Sequence, residues 1–321
     1  VSDRGSPVTW IDAVVHARTP ATSEIAVFDL TPVDGTEFPS YTAGSHIDVQ
    51  LGSGLVRQYS LCGPPEPGRY RLAVLNVANS RGGSRAMHAL TVGDRVRISA
   101  PRNHFPLAET SSHVLIAGGI GITPLLAMLT QLEHTEADYA LHYSARTRSR
   151  AAFLEELTEN PRVRLHFDDE DPALLLDITR DLGDPRPDTA VYVCGPDGFM
   201  DYVVGKAEAL GWPPTALHTE RFGTDLTTPT ESEQTGFTVR LASTGAEYLV
   251  ADDQSVLDVL LDNGVDAPFS CQQGICGECV VRVLAGDPDH RDDVLTDAER
   301  ADGMFTTCSS RSHSPVLEVD L

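Results

Sequence analysis

Four cysteines near the C-terminus carry the most specific chemistry in this chain. Cys271, Cys276 and Cys279 stand in CQQGICGEC, and Cys308 stands in a distant TTCSS. The spacing is C-x4-C-x2-C, then 28 residues, then C. This is the ligand pattern of a plant-type [2Fe–2S] cluster, which accepts and passes single electrons. Three ligands on one tight loop wrap most of such a cluster, and the fourth closes it from another element. Gly274 and Gly277 lie between the ligands, where a missing Cβ permits unusual dihedrals and close backbone approach. Loop N–H groups can then point at the sulfurs and help set the potential. The alternatives are a zinc site or inert thiols. Zinc frameworks more often show two C-x2-C pairs, and only one is present.

Three upstream motifs indicate where electrons would enter. In RQYSL, Arg57 and Tyr59 are two apart and share one face of a strand. The guanidinium suits a phosphate, the Tyr ring suits a flat heteroaromatic, and Ser60 can donate a hydrogen bond. About 25 residues on, Gly82, Gly83 and Ser84 precede a short helix, so their N–H groups form an anion site. Val74, on the strand ahead of this turn, is a further candidate contact. In AGGIGITPLLAM, Gly118, Gly119, Gly121 and Thr123 lie between a strand and a helix. The spacing is not G-x-G-x-x-G, yet a close turn before a helix N-terminus suits a pyrophosphate equally well. In CGPDGFM, Cys194, Gly195 and Pro196 end another strand, which places Cys194 in the same crevice as Gly119. Arg146 and Arg148 follow a neighbouring strand, where a ribose or its 2′-phosphate would lie. Each motif also has a plainer reading: a structural turn, a buried inert thiol, solvated arginines.

The elements that must position these groups fall into three blocks. Residues 1 to about 107 read as short strands at Val8–Val15, Glu24–Leu30, His46–Leu51, Arg57–Leu61, Tyr70–Asn76 and Arg95–Ser99, with a helix at Ser84–Leu90. Regular turn signals, among them Gly52–Ser53–Gly54, make this an antiparallel β-barrel. Residues from about 112 to 223 alternate strands and helices, as in an α/β domain with a parallel sheet. The strands are Val114–Ala117, Tyr139–Ser144, Val163–Phe167, Ala190–Cys194 and Leu217–Glu220; the helices are Leu125–Glu133, Ala152–Thr158 and Asp197–Leu210. A polar Thr/Ser/Glu-rich linker follows. The last block has a hairpin of Phe237–Ala242 and Glu247–Val250, a helix Ser255–Leu261, and strands Val280–Leu284 and Val316–Val319, with a capping box at Thr296–Glu299. The expected domains are 1–108, 109–223 and 236–321, with 224–235 as linker.

Composition narrows the function classes. The net charge is −23, from 24 basic and 47 acidic residues, which excludes nucleic acid and anionic membranes as natural partners. From Gly236 onward there are 16 Asp and Glu against 5 Arg. That excess is either a solvated face or a surface that steers a basic partner. No apolar run approaches the roughly 18 residues of a membrane span, and residues 1–30 lack the pattern of a secretory signal. Six cysteines, four of them committed to a cluster, point to a reducing cytoplasm. The eleven His residues show no metal-ligand spacing along the chain, and most are expected on the surface.

In this order, these motifs resemble the phthalate dioxygenase reductase family, within the ferredoxin–NADP reductase superfamily. RQYSL resembles its flavin motif, GGS at 82–84 its flavin-phosphate turn, and GGIGITP and CGPDGFM its nicotinamide motifs. ERF, Glu220 to Phe222, resembles the end of its nucleotide domain, which makes Phe222 the candidate aromatic over the flavin. The resemblance covers essentially the whole chain. It implies a flavin barrel, a pyridine-nucleotide domain and a C-terminal plant-type ferredoxin (β-grasp) domain, with FMN, a [2Fe–2S] cluster and NADH, or alternatively NADPH, as cofactors. The implied activity is an NAD(P)H-dependent oxidoreductase with no acid–base residue, and with Ser60, Thr123 and Cys194 in orienting roles. Hydride would pass to the flavin, and single electrons through the cluster to a terminal oxygenase, Rieske-type or cytochrome P450. A monomer is the expected state. A stand-alone quinone or ferric reductase and a non-enzymatic redox carrier are the rival readings.

Overall fold

The computed structural model describes residues 9–52, 55–78, 82–222, 236–252 and 254–321. The expected linker at 224–235, the first residue of the strand expected from Val8, and Ser53–Gly54 of one expected turn lie outside the described residues. The chain forms two compact units, one spanning Thr9–Phe222 and the other holding the C-terminal residues.

The first unit opens with β1 (Trp10–Pro20), β2 (Ile25–Pro32), β3 (Ser45–Gln50), β4 (Val56–Ser60), β5 (Tyr70–Leu75), helix α1 (Gly83–Ala89), β6 (Arg95–Ser99) and a short β7 (Arg102–Asn103). The sheet runs β4-β3-β6-β1-β2-β5, with β7 paired to β3. All its pairings are antiparallel. A bridge between Leu61 and Leu72 joins the two outer strands and closes the curl. Alternation along the strands sends Ala13, Val15, Phe28, Leu30, Ile47 and Val49 inward, all with no exposed surface. Burying each of the larger ones, Val, Phe, Leu or Ile, stabilises the fold by about 1.5–3 kcal/mol.

Next come β8 (Ser112–Gly118), α2 (Ile122–Leu132), β9 (Asp138–Ala145), α3 (Leu154–Thr158), β10 (Val163–Phe167), α4 (Ile178–Asp181), β11 (Thr189–Cys194), α5 (Asp197–Ala209) and β12 (Leu217–Glu220). The order β10-β9-β8-β11-β12 is parallel throughout. Its middle strands read as continuous apolar runs because helices cover both faces. Chain order reverses between β8 and β11, the place where open α/β sheets bind ligands. Ile25, Ala43, Cys62, Ala73 and Phe105 pack into the core of this sheet, so barrel and parallel sheet share buried surface.

One expectation needs correction and one an exception. The helix expected from Ala152 begins at Leu154, because Phe153 takes a left-handed φ of 63° and cannot continue a helix. Four of the eleven His residues do not lie on the surface, His46, His113, His142 and His166 being buried, and the other seven keep partial or full exposure. Burial is met in part by internal hydrogen bonds; His113 Nε2, for instance, lies 3.0 Å from the carbonyl of Ala108.

The second unit holds β13 (Phe237–Leu241), β14 (Glu247–Val250), α6 (Val256–Asp262), β15 (Val280–Ala285), β16 (Pro288–Asp289), α7 (Asp297–Ala301), β17 (Met304–Thr306), β18 (Arg311–Ser312) and β19 (Val316–Val319). The main sheet runs β14-β13-β19-β15-β17, with β13 and β19 parallel. Helix α6 packs its apolar residues Val256, Leu257, Val259 and Leu260 into the core. Capping boxes open both helices: Ser255 with Asp258 for α6, and Thr296 with Glu299 for α7.

Candidate functional site

The cluster cysteines converge. Cys279 Sγ lies 3.2 Å from Cys308 Sγ, and Cys271 hydrogen-bonds with the thiols of Cys276 and Cys308. All four are buried and none is in a disulfide. Hydrogen bonds from those two thiols hold Cys271 well below the ordinary thiol range, helped by the N–H groups of Ile275 and Gln273. The Gln273 N–H lies 3.3 Å from Cys271 Sγ. The loop bends this way because Gly274 and Gly277 adopt φ of 76° and 75°. A Cβ on Gly274 would stand 2.7 Å from Ser309 Oγ, so the loops bearing the first three cysteines and the fourth are tightly apposed. Behind them Asp292, buried, accepts from Leu295 N–H at 2.8 Å, Ser310 Oγ at 3.1 Å and Thr306 Oγ1 at 3.3 Å. Four buried thiols held together without a disulfide are the donor set a [2Fe–2S] cluster requires, and these residues fit it.

On the barrel, Arg57 lies across the turn before α1. A Cβ on Gly83 would stand 2.5 Å from Arg57 Cγ, so this glycine is the space through which the Arg side chain passes. Gly82 has a φ of 96°, and Ser84 Oγ accepts from Val77 N–H at 3.2 Å. The Arg57 guanidinium and the 82–84 turn therefore meet, as a phosphate held from two sides requires. Tyr59 shares the face of Arg57 on β4, whereas Val74 is buried in the barrel core.

Ser60 points the other way. Its Oγ donates to Glu220 Oε2 at 3.1 Å, and Glu220 is paired in register with Cys194. Burial pushes the Glu220 carboxyl up to about 8, against a smaller lowering by the Ser60 bond. Burial, with Glu220 adding to it, pushes the Cys194 thiol well above its usual range, so it stays neutral. Reading the motifs missed Glu220 as a site group. The available signal was its place at the end of the strand beside Cys194.

At the switch point, the β8 and β11 loops touch backbone to backbone. A Cβ on Gly121 would meet Cys194 O at 2.2 Å, and one on Gly195 would meet Gly118 Cα at 3.0 Å. A Cβ on Gly118 would stand 2.7 Å from the Phe199 ring. These three glycines serve close packing. Gly119 differs: its φ is +54° and its Cβ direction is open. Pro196 caps α5. Thr123 is buried and its Oγ1 donates to Ile120 O at 3.1 Å, so the hydroxyl is turned into its own loop. Arg146 is exposed past the body of β9, while Arg148 pairs with Glu170 at 3.3 Å and covers the Phe167 ring at 4.6 Å. Phe222 ends the described part of this unit with 38% of its surface exposed. Arg221 before it binds Asp197 at 2.7 Å and Asp201 at 2.6 Å, which ties the end of β12 to α5.

Comparison with known proteins follows the same division. The model for the 2Fe-2S iron-sulfur cluster binding domain matches residues 239–313. The model for the N-terminal domain of dimethylamine monooxygenase subunit DmmA-like proteins matches residues 101–217. Vanillate O-demethylase oxidoreductase of Pseudomonas putida is 47% identical over 320 residues, covering 97% of this chain and 100% of that protein. The solved structure of phthalate dioxygenase reductase superposes with a TM-score of 0.82 at 36% identity, over 97% of this chain and 98% of that one. The chain belongs to the phthalate dioxygenase reductase family. It is an oxidoreductase of the oxygenase-reductase type, carrying electrons from NADH through FMN to a [2Fe–2S] cluster. An intact type IV self-sufficient cytochrome P450 monooxygenase contains a similar region, with a TM-score of 0.77 at 39% identity over 99% of this chain and 43% of that chain. Among the described residues no helix is long and apolar enough to cross a membrane.

Proposed function

We propose that the chain supplies electrons to a Rieske-type O-demethylase, acting as a monomer in the cytoplasm. The domains are assigned as 1–108 for the flavin, 109–223 for the nicotinamide nucleotide and 236–321 for the cluster, with 224–235 as linker. The observation that carries the electron path is the meeting of Ser60, from the barrel, with Glu220, beside Cys194 of the parallel sheet. The flavin side and the nicotinamide side thus share one partly buried point. Bound FMN supplies the conversion of a two-electron donor into single electrons.

This chain's own residues hold and orient. Arg57 grips the FMN phosphate with the N–H groups of Gly82, Gly83 and Ser84. Tyr59 would lie against the flavin, and Phe222 would cover its ring. Gly119 leaves room for the dinucleotide at the switch point, and Pro196 and Gly195 line its other wall. Arg146 reaches the ribose. Ser60 and the neutral Glu220 and Cys194 put no charge beside the hydride path. Cys271, Cys276, Cys279 and Cys308 hold the cluster.

The identity over the full length of a vanillate O-demethylase oxidoreductase favours the O-demethylase partner. The P450 likeness supports the second reading. The six free cysteines support a reducing compartment. The partner meets the acidic C-terminal unit, where 16 acidic residues face 5 Arg. Mixing the purified chain with a vanillate-type oxygenase and NADH tests this. Product should form, with a delivery rate that falls as salt rises. A salt-independent rate would remove the docking role of the acidic surface, and turnover with a P450 alone would support the second reading.

A further inference from the structure

The second and third strands of the parallel sheet carry a cluster that the electron path does not use. His142 and Ser144 are two apart on β9 and therefore share a face, and the register pairs Ser144 with His166 of β10. His142 Nδ1 and His166 Nε2 stand 3.1 Å apart, and both rings are buried. The other nitrogen of His166, Nδ1, lies 2.7 Å from the carbonyl of Leu174. A carbonyl only accepts, so Nδ1 carries the proton and Nε2 presents a lone pair. Asp181, at the end of α4, brings its carboxylate to the same place: one ligand atom from each of His142, His166 and Asp181 lies within 4.8 Å of the others. The Asp181 side chain is only 5% exposed. The hydroxyl of Ser144 is buried with no hydrogen-bond partner among the described residues.

We propose that His142, His166 and Asp181 form a binding site for a divalent cation of the zinc class, with the Ser144 hydroxyl facing a water in the fourth position. Two imidazoles and one carboxylate are the protein ligands of an open zinc site, and imidazole disfavours calcium and magnesium. With Zn–N bonds of about 2.0–2.1 Å, two nitrogens on a tetrahedral zinc stand roughly 3.3 Å apart. The pair already stands near that separation. The outer support is also present. The Leu174 carbonyl orients His166, and the Asp181 carboxylate accepts from Arg180 Nε at 2.9 Å, Arg180 Nη2 at 2.7 Å and Asp177 N–H at 2.9 Å. A hydrogen bond between the two rings would account for the rings alone. It leaves the Ser144 hydroxyl orphaned, which a metal-bound water would satisfy. The cation would clamp α4 and the turn at Pro172–Leu174 onto β9 and β10.

Equilibration of the holoprotein with micromolar Zn2+, gel filtration, and zinc and iron analysis on the same sample tests the site. The expected result is about one zinc per chain with iron and flavin unchanged. His166→Ala and Asp181→Asn should each lose the zinc, and Ser144→Ala should weaken binding by about 10–100-fold. Zinc should also raise the thermal midpoint of the wild type and not that of His142→Asn, which keeps the test valid if one variant folds poorly. No retained zinc in the wild type, zinc retained equally by His166→Ala, or zinc gained only as iron is lost would each overturn the proposal.

Discussion

Ser60 and Glu220 are 160 positions apart in the chain and joined by a 3.1 Å hydrogen bond. Their meeting makes a pH prediction. Glu220 has its carboxyl pushed from 4.5 up to about 8 by burial, so the folded protein holds a proton that the unfolded chain has released. The stability from that proton is complete below 4.5 and is lost as pH rises through about 8. Above that pH a carboxylate would stand beside the hydride path. Stopped-flow reduction of the flavin by NADH is expected to slow above pH 8, and Glu220→Gln to flatten the profile; an unchanged profile in the variant would assign the slowing elsewhere. Arg57→Ala should weaken FMN binding by about 10–100-fold, from the loss of charge-assisted hydrogen bonds worth about 1.5–3 kcal/mol. Flavin retained in full through gel filtration of that variant would refute the phosphate role. The placement of Arg57 and Tyr59 on one face of a strand was legible in the sequence through its alternation. Glu220 was not, because its role arises only when the barrel packs against the last parallel strand. His142 and His166 escaped for a related reason: they are 24 positions apart and become neighbours through strand register.

Among the elements, the two strand-to-helix loops at the switch point leave little room for added side chains. Gly121→Ala would drive a Cβ to 2.2 Å from a backbone carbonyl that cannot swing aside. Destabilisation of about 3 kcal/mol or more is expected, with slower NADH-dependent flavin reduction, read by thermal unfolding and stopped flow. Gly119→Ala meets open space and pays only for its left-handed φ, about 1–2 kcal/mol. Equal effects of the two substitutions would contradict this division of labour. The alternation of strands and helices was legible through its period, and the β8 and β11 loops through their glycines. What each glycine does was not, because GGIGITP reads as one phosphate turn until the CGPDGFM loop is seen pressed against it. The start of α3 was misplaced for a local reason, the left-handed Phe153, that no apolar period records.

At the scale of the whole molecule, the chain joins a site for a two-electron donor to a site for a one-electron carrier. The C-x4-C-x2-C spacing made the second legible from cysteines alone, and the order of motifs made the first legible upstream of it. The buried Asp292 network behind the cluster loops was not legible, since it gathers Thr306 and Ser310 around an Asp that looks like one more surface acid. If the two sites are modular, Cys276→Ser should lose the cluster and keep flavin reduction. The most direct test of the electron path is an anaerobic titration with NADH of the wild type and of this variant, followed by absorbance and low-temperature EPR. Flavin bleaching in both, with a reduced [2Fe–2S] signal in the wild type alone, is the predicted result. Bleaching in the wild type without that signal, or no bleaching at all, would contradict the account.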